Sequence, residues 1–446
     1  MKHITALLGC AVLLAACGSP TSGESGDVVI RVQGMPPATD KPGLAQFTAM
    51  VAEFEKLNPG IRVQGSTSVF DPLTFSAKLA GGRVEEVIKV PLTEPQGLIA
   101  RKQVQPLTRS LAAWAHYKEF NPQVLRPLSD SSGEVYGVPQ APFAQGLVYN
   151  RDLFAKAGLD PDRPPRTWDE VRAAAKAIAA KTGKAGFVHE SKGNQGGWQL
   201  TMLAYAHGGD ISTDKAAAFN SEPVKKALGL LKEMRWTDDS MGDSQLNDQN
   251  DVIKRFAAGE IGMYMGTPGT YRLAKMTYGM EDTDAFGIGA LPQAGGNATL
   301  TGGDVYLVPK SVSAPKAAAA VKWLLFAYAQ PQYDPAAAAA RAKGLAADPK
   351  SAVGVPTLPM FSAAQQARID AAVAPYVNVK LEHFRPWLEG TPSLTLRPEP
   401  PVQAQQVYAV LDTVVQAVLT DRAASVDALL AKAETDVNAK LAAARQ

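Results

Sequence analysis

The chain has 446 residues, of which 46% are hydrophobic and 20% charged, and its formal net charge is +2. Because the charges are scattered singly, the sequence shows no basic face for nucleic acid and no acidic tail, so a small-molecule or protein partner is favoured. A chain of this length can bury one or two large cores.

The N-terminal segment is typical of a secretory signal. A short basic start precedes an apolar run at 4–14, which is too short to span a membrane, and no later segment is long and apolar enough to do so. The run ends at Leu14-Ala15-Ala16-Cys17, which resembles the lipobox of bacterial lipoproteins, in which the cysteine becomes the first residue and receives a diacylglyceryl group. An ordinary secretory signal with a chance cysteine is the alternative.

We therefore predict a lipoprotein signal peptide at 1–16 and a lipid on Cys17. The only other cysteine, Cys10, lies inside the signal, so no disulfide forms within the mature chain and its core must hold the fold. Residues 17–26 are rich in Gly, Ser, Pro and Thr, which predicts a flexible tether. The body is then extracytoplasmic and anchored to the cell membrane, at its outer face or in a periplasm.

The body begins with a strand, a helix and a second strand. VVIRV at 28–32 predicts a buried strand, and apolar residues at helical spacing from Phe47 to Leu57 predict a helix that stops at Asn58-Pro59-Gly60. IRVQG at 61–65 predicts the next strand. A unit of this kind implies a parallel sheet, so the predicted fold class is α/β.

The alternation continues along the chain. GLVYN at 146–150 predicts a strand that runs into a helix capped by Asn150, and Thr167-Trp168-Asp169-Glu170 is a capping box that begins another helix. Residues 286–309 predict a strand, a Gly-rich turn and a strand. Further helices are predicted within 216–234, 314–330 and 407–418 and from Ser425 onward, with an irregular connection at 392–402; no linker divides the chain into halves.

Catalytic and metal-binding signatures are missing from the sequence. The histidines show no metal-ligand spacing, and there is no nucleophile elbow, phosphate loop or dinucleotide fingerprint. The neighbouring acids Glu85-Glu86 and Asp238-Asp239 are more typical of solvated turns than of an acid/base pair, although folding could bring other carboxylates together. We predict a protein that is not an enzyme and that uses no metal or cofactor.

One tryptophan stands apart from the others. Trp198 lies in KGNQGGWQ at 192–199, among glycines and amides and before a helix predicted to begin near Leu200. This setting suits a loop in which an aromatic face meets a polar ligand. Trp168 and Trp323 lie in helical patterns and are predicted to be structural.

The run from 136 to 170 contains YGVP, LVYNRDLF, KAGL and TWDE in that order. It resembles the signature of the family 1 extracellular solute-binding proteins of ABC importers, the maltose-binding type. Four further pieces fall in the order of that family: FEKLNPGIRV at 54–63, FNSEPVKKAL at 219–228, FAAGEIGMYM at 256–265 and FGIGALPQAGG at 286–296. The resemblance covers nearly everything from Val28 to the terminus.

The resemblance implies a periplasmic-binding-protein type II fold, with two lobes, three crossings between them and hinge closure over a ligand. By the family's pattern the N-terminal lobe comprises 27–140 and 293–355, and the C-terminal lobe comprises 141–292 and 356–446. The expected protein is a monomer that delivers its ligand to an ABC permease, beside which the lipid on Cys17 would hold it.

Carried over by motif, the resemblance places ligand contacts in the cleft at Met35, Thr93, Glu94, Gln140, Asn194, Gln195, Trp198, Thr267, Gly269 and Gly303, with Gly34 and Gly302 beside them. Two departures matter. Glu85-Glu86 stands where relatives usually read Pro-Asp, and Gly269 stands where they often carry a stacking tryptophan. Trp198, Phe143, Tyr271 or Trp387 would then have to supply the stacking ring.

These positions include no arginine or lysine to hold a phosphate and a single carboxylate, Glu94. A neutral mono- or oligosaccharide is therefore the predicted ligand, hydrogen-bonded by Glu94, Gln140 and Asn194 and covered by the ring of Trp198. Two alternatives stay open: a secreted carbohydrate-active enzyme, and a binding protein that serves a sensor and takes a non-sugar solute.

Overall fold

The computed structural model describes residues 26–213, 215–400 and 403–443, so the predicted signal, Cys17 and nearly all of the tether lie outside the described residues. The strands are β1 Val28–Gln33, β2 Ile61–Ser66, β3 Ile88–Pro91, β4 Gly137–Ala144, β5 Gly146–Asn150, β6 Met263–Gly266, β7 Phe286–Ala290, β8 Ala298–Leu307 and β9 Thr395–Arg397.

The helices of the first half are α1 Lys41–Leu57, α2 Pro72–Ala80, α3 Pro95–Ala100, α4 Thr108–Leu111, α5 Pro122–Leu125, α6 Arg151–Lys156, α7 Trp168–Thr182, α8 Gln195–Ala206 and α9 Glu222–Trp236. Those of the second half are α10 Gln249–Ala257, α11 Thr270–Arg272, α12 Ala314–Leu324, α13 Gln330–Tyr333, α14 Pro335–Ala346, α15 Ala363–Val373, α16 Arg385–Gly390, α17 Ala404–Thr420 and α18 Val426–Ala443.

The predicted strand-helix-strand unit is confirmed. β1 pairs in parallel with β2, from Val28 opposite Ile61 to Gln33 opposite Ser66, and α1 connects them. The bridge between Val32 and Val87 continues this sheet toward β3. The start of the chain therefore folds as its apolar periodicity indicates.

The capping signals are confirmed as well. Asn150 Oδ1 accepts a hydrogen bond from the Leu153 amide at 2.9 Å and so caps α6. At α7 the Glu170 amide donates to Thr167 Oγ1 at 3.2 Å, while Glu170 Oε2 accepts from the Thr167 amide at 3.1 Å. These short-range hydrogen bonds fix where the two helices begin.

Two separate regions of buried apolar side chains define two lobes. The core of the first lobe packs around β1, β2 and α12, with Val32, Phe54 and Trp323 wholly buried. The core of the second lobe packs around the antiparallel sheet β6-β5-β7 and the helices α8 and α17. Each lobe thus has its own interior.

Strands β4 and β8 connect the two cores. They pair antiparallel along their length, with β8 between β3 and β4. In β8, Leu300 belongs to the core of the second lobe while Leu307 packs with buried residues of the first. The pair therefore runs from one lobe into the other, as a hinge would.

After α14 the chain crosses between the lobes a third time. Val355 packs in the second lobe, whereas Phe361 packs against Phe120 of the first, with ring centroids 4.8 Å apart. α15 then packs against α14, and Gln365 Nε2 donates to the Tyr333 carbonyl. These contacts associate α15 with the first lobe, whereas the predicted second lobe resumes at residue 356; the lobe boundaries stay a prediction.

Two expectations about local structure were wrong. α8 begins at Gln195, five residues before the predicted start near Leu200, so Trp198 lies on a helix and not in a loop. The segment 392–402, predicted to be irregular, contains β9, which pairs in parallel with the first residues of β8. Both corrections fall at the candidate site.

Candidate functional site

Helix α8 is held at its first turn by Asp412 of α17. Asp412 accepts a hydrogen bond from the Asn194 amide at 2.7 Å and from the Gly197 amide at 2.9 Å. The carboxylate accepts hydrogen bonds from amides that have no partner within α8. Its negative charge also interacts favourably with the positive N-terminal end of the α8 dipole. Asn194 itself has φ 69°, and its side chain donates to Gln405 Oε1 at 3.1 Å.

Gly196 and Gly197 permit α8 and α17 to approach closely. A Cβ atom on Gly197 would lie 2.5 Å from the Tyr408 Cα and 2.6 Å from its carbonyl oxygen. On Gly196 it would lie 2.9 Å from Asp412 Oδ1. These glycines, which the sequence suggested belong to a loop, are therefore packing positions inside a helix.

Trp198 is half-buried and binds a carboxylate that lies 201 residues away. Its indole Nε1 donates to Glu399 Oε1 at 3.1 Å. Glu399 comes two residues after β9, whose pairing with β8 brings this segment across α8. The Tyr205 hydroxyl, two turns along α8, donates to the Pro398 carbonyl at 2.9 Å and fixes the same segment.

Glu399 was missed by the sequence analysis, although its environment makes it the most unusual acid at the site. Burial raises the pKa of the Glu399 carboxyl to about 7, the hydrogen bonds from Tyr408 and then Trp198 oppose this shift, and the charge of Glu94 adds to it. Glu399 Oε2 is buried, and the Tyr408 hydroxyl is the donor beside this carboxyl. Burial, followed by the charge of Glu399, raises the pKa of the Tyr408 hydroxyl.

The first lobe contributes Glu94 from the turn after β3. The Leu92 amide donates to the Gly303 carbonyl of β8 at 2.9 Å, and the Glu94 amide donates to the Pro91 carbonyl at 3.1 Å. Glu94 stands at the N-cap of α3 without capping it through its side chain. Burial raises the pKa of its carboxyl and the charge of Arg101 opposes that shift. Thr93 lies in the same turn and is half-buried.

The hinge strands are irregular beside this turn. Their register shifts between Gln140 and Phe143, where Ala141 has φ 47° and the facing Gly303 has φ 133°. A Cβ on Gly303 would lie 3.0 Å from the Ala141 carbonyl oxygen. Gln140 Oε1 is buried and finds no hydrogen-bond partner in the part of the chain that the structure describes. The bulge thus leaves an amide oxygen free at the hinge.

The remaining predicted contacts follow the ends of strands β1 and β6. Met35 follows β1, where its amide donates to the Ser66 carbonyl at 3.3 Å. Thr267 and Gly269 follow β6, whose last residue pairs with Gly146 at the hinge end of β5. Across 26–213, 215–400 and 403–443, no hydrogen bond or ring contact joins these three to Trp198 or Glu399. Gln195 Oε1 accepts from the Gln249 amide at 2.5 Å and is engaged with α10.

Two of the four candidate stacking rings belong to the core. Tyr271 packs edge-on against Phe286 and Phe384, and Trp387 is fully buried against Gly146. Phe143 is half-buried, with its ring against Gly302. Trp198 and Phe143 therefore remain the predicted stacking residues.

The adjacent acids weighed as a possible catalytic pair have structural partners. Glu86 is buried and forms ion pairs with Arg31 Nε at 3.1 Å and Lys316 Nζ at 2.8 Å. Asp238 is bound by Arg172 Nε at 2.5 Å and Lys176 Nζ at 3.4 Å. The carboxylates of Glu86 and Asp238 are therefore buried in ion pairs, whereas the neighbouring Asp239 is exposed, so the prediction of a solvated turn fits Asp239 and is wrong for Glu86 and Asp238.

Metal-binding clusters and membrane-spanning helices are both absent from the described residues. No group of three or more His, Cys, Asp or Glu side chains in them is arranged to hold a metal ion. None of the helices built from them combines the length and the apolar character needed to cross a bilayer.

A family model, described as bacterial extracellular solute-binding protein, matches residues 38–332. The sn-glycerol-3-phosphate-binding periplasmic protein UgpB of Escherichia coli (strain K12) is 25% identical over 252 residues, which cover 53% of this chain and 57% of that protein. The chain thus spans little more than half the length of this curated relative.

Solved structures share the whole fold. The cyclic alpha-maltosyl-1,6-maltose binding protein from Arthrobacter globiformis superimposes with a TM-score of 0.65 at 22% identity, covering 93% of this chain and 99% of that one. UgpB from Mycobacterium tuberculosis, in complex with glycerophosphocholine, gives a TM-score of 0.66 at 17% identity, covering 94% and 98%. At these identities the likeness shows the fold, and the predicted two-lobed type II architecture is confirmed.

Proposed function

The chain belongs to the family of bacterial extracellular solute-binding proteins, and from that membership we propose that it captures a hydroxyl-rich solute between its two lobes and delivers it to the permease of an ABC importer. The solute would be a mono- or oligosaccharide or a related polyol. The lobes would be 27–140 with 293–355 and 141–292 with 356–446, joined by the hinge strands.

One observation supports this proposal: each lobe, and the hinge strand between them, supplies a polar side chain that a solute could bind. Glu94 comes from the first lobe, Gln140 from the hinge strand, and Trp198 with Glu399 from the second lobe. Because a ligand bound by both lobes contacts more groups when they close, binding energy favours closure. The closed form would then be the one that meets the permease.

A hydroxyl-rich ligand fits the polar groups that the cleft leaves unused. Gln140 Oε1 is a buried acceptor without a hydrogen-bond partner in the described ranges, and Glu399 Oε2 is a buried acceptor beside the Tyr408 hydroxyl. A buried acceptor without a donor costs about 1–3 kcal/mol, which sugar hydroxyls would offset on binding. The half-buried ring of Trp198 can cover the apolar face of a sugar ring.

The relatives support a second candidate, a phosphate ester of a polyol. The Escherichia coli protein is named for sn-glycerol 3-phosphate, and the Mycobacterium tuberculosis structure holds glycerophosphocholine. The basic group near Glu399 is Arg397, but it stacks over the Tyr205 ring at 3.9 Å and forms an ion pair with Asp210. Phosphate binding would require Arg397 to leave Asp210, so we rank this ligand second.

An enzyme and a sensor-coupled binding protein are the remaining alternatives. A glycosidase would need two carboxylates at its cleft, and Glu94 and Glu399 could supply them, so product formation must be measured. We propose that the protein does not turn over its ligand, acts as a monomer, and is anchored at the outer face of the membrane through a lipid on Cys17.

Thermal unfolding of the mature chain carrying Cys17→Ser, against sugars, polyols and their phosphate esters, tests the proposed function. A ligand that binds only the folded state, at one hundred times its dissociation constant, stabilises it by about 2.7 kcal/mol. A rise in Tm with one sugar or polyol, without product formed, supports the proposal. A rise with none of them, or hydrolysis of a bound sugar, would contradict it.

A further inference from the structure

The sheet of the first lobe has two opposite edges, and the predicted tether joins the edge that lies away from the cleft. β1 and β2 run in parallel from Val28 and Ile61, so their amino ends share one edge and their carboxyl ends the other. A parallel bridge joins β3 to β1 in the same direction. Met35 follows β1 and Glu94 follows β3, so these predicted ligand contacts lie at the carboxyl edge. The chain from Cys17 enters at the amino edge.

Basic residues gather at the amino edge. Lys78 lies near the end of α2, and its carbonyl accepts a hydrogen bond from the Arg83 amide at 2.9 Å, shortly before β3 begins. β8 runs antiparallel to β3, so Lys310, three residues past the end of β8, lies at the same edge. We call this surface the basic end; it comprises Lys78, Arg83, Lys102 and Lys310.

Gln103 holds the segments of the basic end together. Its side chain donates from Nε2 to Ser76 Oγ of α2 at 2.8 Å. Its carbonyl accepts from the Lys310 amide at 2.9 Å, which joins it to the segment after β8. Lys102 directly precedes it and has φ 56°. Three separate stretches of the chain are therefore fixed side by side.

The charges of the basic end are not neutralised by the protein. All four of its side chains are exposed, and none forms an ion pair with any residue in 26–213, 215–400 or 403–443. At the same edge Arg62, by contrast, binds Asp27 at 2.8 Å. Asp130 and Glu134, in the turn before β4, also lie at this edge, but the four cations outnumber them.

An exposed leucine lies beside the point where the tether joins. α1 ends at Leu57, whose side chain is 61% exposed. Three residues later the Gly60 carbonyl accepts from the Val28 amide at 2.7 Å, at the start of β1. The neighbouring Lys56 is exposed as well. An apolar side chain next to cations suits the boundary between lipid headgroups and acyl chains.

We propose that the basic end binds anionic phospholipid headgroups, so that the amino edge of the first lobe lies against the membrane. This inference rests on the anchoring in the proposed function and adds an orientation to it. The nine residues that follow Cys17 span at most about 30 Å, which keeps the amino edge close to the bilayer. Each Lys or Arg near a strongly anionic surface strengthens binding about fivefold, and the contributions of several residues accumulate.

This orientation directs the carboxyl edge, and the cleft beside it, away from the bilayer. Solute can then enter without obstruction by the membrane. Because the cations of the basic end are exposed, salt screens their attraction to lipid and the contact stays reversible. A loaded protein can therefore leave the lipid surface to meet the permease while its tether holds it nearby.

Vesicle binding tests the proposal on the mature chain carrying Cys17→Ser, which takes no lipid anchor. Co-sedimentation is compared between vesicles of pure phosphatidylcholine and vesicles in which one third of the lipid is phosphatidylglycerol. In low salt we expect at least tenfold stronger binding to the anionic vesicles. The preference should disappear in about 1 M salt, where the Debye length is about 3 Å.

A matched pair of double variants locates the binding surface. Lys102→Gln combined with Lys310→Gln should weaken binding to the anionic vesicles at least tenfold, because each lost charge costs about fivefold. Lys181→Gln combined with Lys184→Gln removes the same charge from exposed positions of the second lobe and should keep the affinity within threefold. Unfolding midpoints show whether each variant is folded.

A fluorescent label reports which end of the protein meets the lipid. The mature chain carrying Cys17→Ser has no other cysteine, so Leu57→Cys and Leu388→Cys each accept a single nitrobenzoxadiazole group. Leu388 is an exposed leucine of the second lobe. Anionic vesicles should shift the emission of the label at position 57 to shorter wavelength and leave that at position 388 unchanged.

Each outcome decides the inference. Equal binding to both kinds of vesicle, or a preference that survives Lys102→Gln with Lys310→Gln, would overturn it. An emission shift at position 388 as large as that at position 57 would also overturn it. Absence of vesicle binding would overturn it without touching solute capture, which the thermal-unfolding panel of sugars and polyols decides separately.

Discussion

The close packing of α8 against α17 can be tested with one added methyl group. In Gly197→Ala the new Cβ would lie 2.5 Å from the Tyr408 Cα, whereas ordinary contact begins at 3.4 Å, so the helices must separate by about 0.9 Å. Such overpacking costs about 1–3 kcal/mol. Since Trp198 follows directly, we also expect weaker ligand binding.

Gly229→Ala is the matched control. Gly229 lies within α9, and a Cβ there would meet nothing within 4 Å. Replacing glycine by alanine inside a helix stabilises it by up to about 1 kcal/mol, and both variants receive a similar gain. The difference between the two variants therefore isolates the overpacking cost of about 1–3 kcal/mol.

Thermal unfolding followed by circular dichroism measures the difference. For a lobe of roughly 200 residues, 1 kcal/mol corresponds to about 2–4 °C in Tm, so Gly197→Ala should melt at least 2 °C below Gly229→Ala. If Gly197→Ala melts at or above the Tm of Gly229→Ala, residues 195–199 do not pack as a helix against α17. That result would favour the sequence-based prediction that Trp198 lies in a loop.

Three further outcomes are expected. Trp198→Ala should weaken ligand binding at least tenfold, about 1.4 kcal/mol. The affinity of Trp198→Phe should lie between those of Trp198→Ala and the unsubstituted chain, because phenylalanine keeps a ring but loses the donor to Glu399. Unchanged affinity of both variants in titration calorimetry would show that Trp198 is not part of the site. Burial raises the pKa of Glu190 to about 8, so its folded form keeps a proton that the unfolded chain releases, and stability should fall from about pH 4.5 to pH 8. Glu190→Gln should therefore gain at least about 1 kcal/mol over the unsubstituted chain at pH 8 and little at pH 4.5, whereas the exposed Glu281→Gln should show no such pH-dependent gain in urea unfolding. Asp412→Ala should lower the free energy of unfolding by about 1–3 kcal/mol, because it removes the acceptor of the Asn194 and Gly197 amides. Asp412→Asn should lose less stability because it keeps one acceptor oxygen. Equal Tm values for the two variants would contradict this capping role.

Local signals in the sequence predict local structure well. The capping box at Thr167 and Glu170 and the cap at Asn150 each join residues three positions apart, so their hydrogen bonds can be anticipated from spacing alone. The strands flanking α1 follow from short runs of β-branched residues within the same short range. Where interactions between residues close in sequence determine a segment's structure, that structure can be predicted from the sequence alone.

Gly196 and Gly197 show where that reasoning fails. Glycine serves equally in a flexible loop and at a close contact between helices, and the two uses differ only in what lies opposite. The atoms opposite are those of Tyr408 and Asp412, more than 200 positions along the chain. The sequence therefore placed Trp198 near a site correctly but assigned it to the wrong kind of element.

Glu399 was overlooked for the same reason. Its segment reads as an irregular proline-rich connection, and its link to Trp198 depends on the pairing of β9 with β8. A resemblance carried over by short motifs reaches only the positions that those motifs contain. Glu399 lies in a connection that contains none of those motifs, so its contact with Trp198 can be identified only from the folded structure.

The hinge relates the two acids to closure. The Leu92 amide ties the Glu94 turn to Gly303, which faces the bulge at Ala141 on the strand that passes into the second lobe. Bending at this bulge therefore changes the separation of Glu94 from Glu399, which the second lobe holds through Trp198. A solute that binds Glu94 and Glu399 together would therefore favour the closed form.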